Sequence, residues 1–267
     1  MPDIYEIDVY DVIGSDWWSD GVTAKAVARY IAEARSQKAD ALRVKINSPG
    51  GDVFDGVAIY NQLRRAGMPV EVVVEGLAAS AASVIAMAGD TIRMEAASLL
   101  MIHEAWGMSS GPAEEHETFA ATLRKITGQL AAIYAAKTGL PTDSVLEMLA
   151  AETWMSGEEA VALGFATEAA SKPEEPSSEK VAATWSPAGI RLLSGFRHQP
   201  SAVAAMLARS HRQQASAVSV IAAAGDTVHT GAEPRPKEQL LTTANASPLR
   251  KLSIASRFGL AGRVSDR

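Results

Sequence analysis

A serine lies within a run of residues with almost no side chain, Gly76-Leu77-Ala78-Ala79-Ser80-Ala81-Ala82-Ser83, directly after the strongly β-prone stretch Val70–Val74. A chain that passes from strand to helix across residues this small brings its backbone close to whatever packs beside it. If the helical pattern Ala82–Ala88 starts there, the Ser80 hydroxyl stands beside the first free backbone N–H groups of a helix, where developing negative charge is stabilised. A tightly packed strand–helix junction would use the same residues, so the chemistry has to be sought in other segments as well.

Ile46-Asn47-Ser48-Pro49-Gly50-Gly51-Asp52-Val53 follows the apolar stretch Ala41–Ile46 and precedes the helical pattern Val57, Ile59, Tyr60, Leu63. It reads as strand, turn and helix. Two glycines after a proline reach backbone conformations closed to other residues, so a backbone N–H can point into a cleft and serve an oxyanion hole. Pro-Gly-Gly is also ordinary turn chemistry.

Leu99-Leu100-Met101-Ile102-His103-Glu104 is a strand-like apolar run ending in histidine. The other histidine of this part of the chain, His116, lies in Glu114-Glu115-His116-Glu117, a charge run that reads as a solvated helix face. His103 is therefore the better base. A serine hydroxyl becomes a useful nucleophile when an imidazole takes its proton, and an ordinary histidine pKa of about 6.5 suits that exchange near neutrality. In Glu152-Thr153-Trp154-Met155-Ser156-Gly157-Glu158-Glu159, Ser156 and Glu159 fit a capping box that opens a short helix over Glu158–Leu163. Glu152 is not explained by capping and could orient the imidazole, but spacing alone does not choose it over Asp143 or Glu147.

Strands are expected near Tyr5–Val9, Ala41–Ile46, Val70–Val74, Thr91–Met94 and Leu99–His103. Helices are expected near Thr23–Arg35, Gly56–Ala66, Ser80–Ala88 and Ala113–Lys137. The pattern is α/β with repeated ββα units. On Ala113–Lys137, the residues Phe119, Leu123, Ile126, Leu130 and Ile133 line one helix face. The 267 residues can bury a full core, and the absence of cysteine excludes disulfides, thiolate metal sites and a cysteine nucleophile. No apolar run reaches the ~18 residues of a membrane span, and Met1-Pro2-Asp3 does not open a secretory signal, so a cytoplasmic protein with no membrane partner is expected.

Together these segments resemble the proteolytic subunit of the Clp serine peptidase family, and more closely its phage and prophage relatives, the head maturation proteases. The resemblance rests on Ile46–Gly51, Gly76–Ala82, Met101-Ile102-His103 and Glu152–Gly164, and runs from about Ile4 to Ala169. It implies the ClpP/crotonase-type fold, Ser80 as nucleophile, His103 as base, Glu152 as triad acid, and the N–H groups of Gly51 and Ala81 as oxyanion hole. Glu152 stands where the housekeeping subunit has aspartate. The resemblance also implies a homo-oligomeric ring joined through the Ala113–Lys137 helix, a polypeptide substrate such as capsid or scaffold protein, a cytoplasmic or prohead location, and no metal or organic cofactor. The housekeeping subunit works with an ATP-dependent unfoldase, engaged through a pore-lining segment before its first core strand; this sequence goes almost directly into Ile4–Val9, so work with such an unfoldase is held as the alternative expectation. Gly14–Gly21, with its Trp17-Trp18 pair, resembles the phage-type versions.

After Ala170 the chain changes character. Residues 171–185 form a polar, proline-bearing linker, and 186–267 read as a basic extension of low order with a short helical piece near Ala202–Arg212. The extension carries a net charge of +7 and the preceding residues −13, within a chain total of −6. Such a tail suits an acidic partner or a capsid component, and nucleic acid is not the expected partner. Two other readings stay open: a crotonase-type acyl-CoA enzyme, which would use carboxylates in place of a Ser–His couple, and a ring-forming assembly protein without turnover.

Overall fold

β-Branched residues dominate the segments that become central strands, where they pack on helices from one side of a parallel sheet. In the computed structural model, residues 2–14, 21–170, 186–201, 203–205 and 207–208 are described. The strands are β1 (Ile4–Ile13), β2 (Ala41–Gly51), β3 (Val70–Ala79), β4 (Thr91–Met94), β5 (Leu99–Ile102), β6 (Thr153–Ser156) and β7 (Glu168–Ala169). The helices are α1 (Ala24–Ser36), α2 (Val53–Arg64), α3 (Ala81–Ala86), α4 (Ala113–Thr138), α5 (Thr142–Ala150), α6 (Gly157–Ala162) and α7 (Pro187–Ser194). No described helix is long and apolar enough to cross a membrane.

The sheet runs β1-β2-β3-β4-β7, with a branch from β3 to β5 and on to β6. β3 makes the fork. Its first half, Glu71–Val74, pairs in parallel with β4, whereas Leu77–Ala79 pairs in parallel with β5. Alternation along β3 sends Val72, Val74 and Ala78 into the main core with α2 and α3, while Leu77 and Ala79 face the other side. The six residues of α3 are all buried, which is why this helix is almost pure Ala, Ser, Val and Ile.

Two expectations change in detail. Pro49-Gly50-Gly51 does not leave the sheet as a turn, because a register shift between Tyr10 and Val12 lets β1 continue beside it and pairs Val12 with Gly50 and Ile13 with Gly51. The long helix α4 buries its apolar stripe only toward its C-terminal half, at Thr127, Leu130, Ala131 and Tyr134, leaving Phe119 and Leu123 partly open. The capping box is present: the Ser156 hydroxyl accepts from Glu159 N, and the Glu159 carboxylate accepts from Ser156 N. Trp17-Trp18 and the linker 171–185 lie outside the described residues. Of the proposed extension, Ser186–Ser201 and residues 203–205 and 207–208 are described, with α7 opened by Ser186, whose side chain accepts from Gly189 N.

Candidate active site

Where β3 gives way to α3, Ser80 adopts φ 54° and ψ −124°, a left-handed conformation that costs a non-glycine residue about 1–3 kcal/mol. Neighbouring bonds hold it there. Its N–H donates to Met101 O at 2.9 Å, and its carbonyl accepts from Ser83 N at 2.9 Å and Ser83 Oγ at 2.6 Å. Gly50 lies directly against it, with φ +96°; a Cβ at that position would sit 2.7 Å from Ser80 Cβ and 3.0 Å from Ala81 N. The small-residue run is thus explained by a backbone-to-backbone approach at the serine.

The strand registers then bring the histidine and the acid to it. Ala79 pairs with Met101, so His103, just past the end of β5, reaches back and places Nε2 2.8 Å from Ser80 Oγ. β6 runs antiparallel to β5 with Ile102 opposite Thr153, so one further step sets Glu152 across from His103. Glu152 also has a positive φ, 53°, and is only 5% exposed. The alternatives Asp143 and Glu147 lie exposed on α5. His116 is exposed as well and pairs with Ser109 Oγ at 2.7 Å.

The carboxylate of Glu152 is engaged elsewhere than at the imidazole. Its oxygens accept from His198 N at 2.7 Å, Arg197 N at 2.9 Å and Trp154 Nε1 at 3.3 Å. Burial alone would raise its pKa, but the two amides, the indole and nearby His103 together hold it below the usual carboxylate value. Burial pushes His103 down to about 4; the charge of Glu152 opposes that shift and the charge of Arg197 adds to it. Phe196 closes the other side of the imidazole, edge-on at 5.3 Å between ring centres, and stands edge-on to Trp154 at 5.8 Å.

Phe196, Arg197 and His198 were not among the residues expected at the site. A signal for them exists in the sequence. Leu99–Ile102 is apolar at every position, so that wing of the sheet needs cover on both faces, and Ile190, Leu193 and Phe196 recur at three-residue spacing in the extension.

Fold and geometry define an α/β protein with a Ser–His couple at the carboxyl ends of parallel strands. Residues 12–173 match the family model described as Clp protease, and the chain belongs to that family. It is 38% identical over 124 residues to an ATP-dependent Clp protease proteolytic subunit of Pleurastrum terricola, covering 46% of this chain and 63% of the relative. The subunit of the same name from Deinococcus radiodurans is 35% identical over 126 residues, covering 46% and 62%. The chain therefore aligns to less than two thirds of the length of these relatives. A mutant of ClpP1 from Listeria monocytogenes shares the fold, with a TM-score of 0.54 and 23% identity over 64% of this chain and 92% of that one.

Proposed function

We propose that the chain is a serine endopeptidase that cleaves polypeptides by acyl transfer. The observation that carries this reading is the 2.8 Å contact between His103 Nε2 and Ser80 Oγ at a strained strand-to-helix turn. Ser80 Oγ attacks the scissile carbonyl while His103 takes its proton. His103 then returns that proton to the leaving amine, and water releases the acyl group by the same route. The oxyanion would be held by two backbone N–H groups. That of Ala81 opens α3 and has no carbonyl one turn back to receive it. The second is the N–H of Gly51, next to Gly50, which packs directly against Ser80. Glu152 is the acid that takes the imidazole Nδ1–H in the working state.

The finer reading adds a homo-oligomeric ring and a substrate such as phage capsid or scaffold protein. A ring is supported by the open amino-terminal half of α4 and by the neighbouring Trp106 and Met108, 58% and 90% exposed. The curated relatives are named ATP-dependent proteolytic subunits, which favours an ATP-driven unfoldase as a second reading of how substrate is delivered.

Fluorophosphonate labelling of the purified full chain, with peptide mass spectrometry, tests the chemistry. The expected result is modification at Ser80 that disappears in Ser80→Ala and His103→Ala, with turnover lowered about 10⁶-fold in either. Absence of label at Ser80 in the folded protein and in every folded variant described below would remove the reading.

A further inference from the structure

The wing formed by the end of β3 with β5 and β6 is apolar on both faces. One face, with Ala78, Leu100, Ile102 and Met155, belongs to the main core. The other carries Leu77, Ala79, Leu99, Met101 and Trp154, and what covers it comes from the far side of residues 171–185: Ile190, Leu193, Phe196, Val203 and Leu207. Leu193 is fully buried and Phe196 is 7% exposed.

This segment crosses the carboxyl ends of the strands in sheet order. It is pinned at β1, where Ser186 N donates to Asp11 Oδ2 at 3.0 Å and Gly189 packs closely against Asp11 Oδ1 and Pro49. It then passes the apolar strip of β3 and β5. It ends at β6, where His198 Nδ1 stands 3.0 Å from Ala151 O and the amides of Arg197 and His198 bind the Glu152 carboxylate.

Each contact near the site opposes the reaction assigned to it. Phe196 stands against the imidazole that must take and return a proton. Glu152 spends its oxygens on Arg197, His198 and Trp154, and makes no hydrogen bond to His103 among the described residues. The positive charge of Arg197 disfavours the imidazolium that acyl transfer must form. The strip beside the nucleophile, where a substrate's apolar side chains would lie, is already filled.

We infer that Ser186–Leu207 is an intramolecular inhibitor that occupies the peptide groove beside Ser80 and His103 and diverts Glu152 from the imidazole, so that the structure is the latent form of the enzyme. The inference rests on the Ser–His reading above. Release of the segment opens the apolar strip to a substrate segment with aromatic or aliphatic side chains. It also frees Glu152 to accept the Nδ1–H of His103. The reactive fraction of the population is then the fraction with the segment undocked.

The test compares the full-length wild type with full-length Leu193→Asp and Phe196→Ala, each confirmed as folded by circular dichroism. The readouts are the rate of fluorophosphonate labelling at Ser80, its pH profile, and hydrolysis of a short fluorogenic peptide with an apolar side chain at the cleavage site. Both variants are expected to label and cleave faster, by about tenfold or more, in proportion to the undocked fraction. The pH midpoint of labelling should move up toward the ordinary histidine value, and a synthetic peptide spanning residues 186–208 should slow the Leu193→Asp protein again. Labelling at Ser80 equally fast in wild type and both variants would overturn the inhibitor while leaving the serine peptidase reading intact. Slower labelling in the variants would overturn it too, and would make the segment a positioning element for Glu152. No labelling at Ser80 in any of the three would remove both readings together.

Discussion

One face of the sheet has two ends with opposite chemistry, and β3 carries both. Its outward residues run Glu71, Val73, Glu75 and then Leu77 and Ala79. At the first end, cross-strand ion pairs stand half-open to water: Arg43 Nε is 2.7 Å from Glu71 and its Nη1 is 3.3 Å from Glu6, while Lys45 reaches Glu6 at 3.1 Å and Asp8 at 3.0 Å. At the other end, Leu77 and Ala79 continue an apolar strip with Leu99, Met101 and Trp154, and a remote part of the chain lies over it. A ladder of charges needs no cover. An apolar strip does, and the cover used here follows residues 171–185 in the chain and lies beside the Ser80–His103 pair. The same strand thus ends as plain solvated surface on one side and as a covered apolar strip on the other.

With the Ser–His pair left intact, the largest effect should come from breaking the covered end at its acid. In a Leu193→Asp background, where the segment is released, Glu152→Gln keeps the shape but removes the charge that stabilises the imidazolium. We expect kcat for a fluorogenic peptide to fall by about 10³–10⁴-fold with little change in KM. A loss smaller than tenfold would mean that Glu152 serves only to anchor Arg197 and His198.

Next comes the cover itself. Leu193→Ala removes a fully buried side chain from the second apolar cluster, a change that costs about 2–4 kcal/mol when the site does not collapse. If the inferred release leaves the body folded, the amides of Arg197 and His198 should exchange with deuterium about 30- to 1,000-fold faster. Those of β2 and β3 should be unaffected. Equal acceleration throughout would show that segment and body unfold as one unit.

How much of this was legible in the sequence follows the same division. The strand–helix order, Ser80, His103 and the capping box at Ser156 rest on local patterns: β-branched runs, small-residue junctions and cap chemistry, all within a few residues of one another. The extension of β2 through Gly51 was missed because it depends on β1 continuing beside it, which no local signal marks. Helix α5 and strand β6 went unplaced for a related reason. Thr153–Ser156 runs straight into the cap at Ser156 and reads as its lead-in until the antiparallel register with β5 is known. Phe196 and its neighbours were the hardest to see, since the contacts from Phe196 to His103 and Trp154 span 93 and 42 residues of chain and no spacing rule connects them.

The pH response sharpens the comparison by a smaller margin. His103 in the covered site is pushed down to about 4, against an ordinary value near 6.5 in the unfolded chain. Between those limits the unfolded state binds the proton and the folded state does not. Stability is therefore lost as pH falls from about 6.5 to 4, by at most about 3 kcal/mol. Urea midpoints measured at pH 7 and pH 4.5 should drop further for the wild type than for His103→Gln, the common contribution of the carboxylates cancelling in the difference. Equal drops would mean that the imidazole is already solvated, and hence that Phe196 does not cover it.

The smallest effect is expected at the charged end, and its smallness is the point. Arg43 bridges Glu6 and Glu71 with side chains 30–47% exposed, so water and salt already screen most of what the pairs could contribute. Arg43→Met should lower stability by less than about 1 kcal/mol at 0.1 M salt, and the difference should vanish near 1 M. Labelling at Ser80 should not change, because the ladder touches neither the nucleophile nor the segment over it. If Arg43→Met altered the reactivity of Ser80 as much as Leu193→Asp does, the two ends of the face would be one coupled unit, and the groove could no longer be treated as a site closed by its own cover.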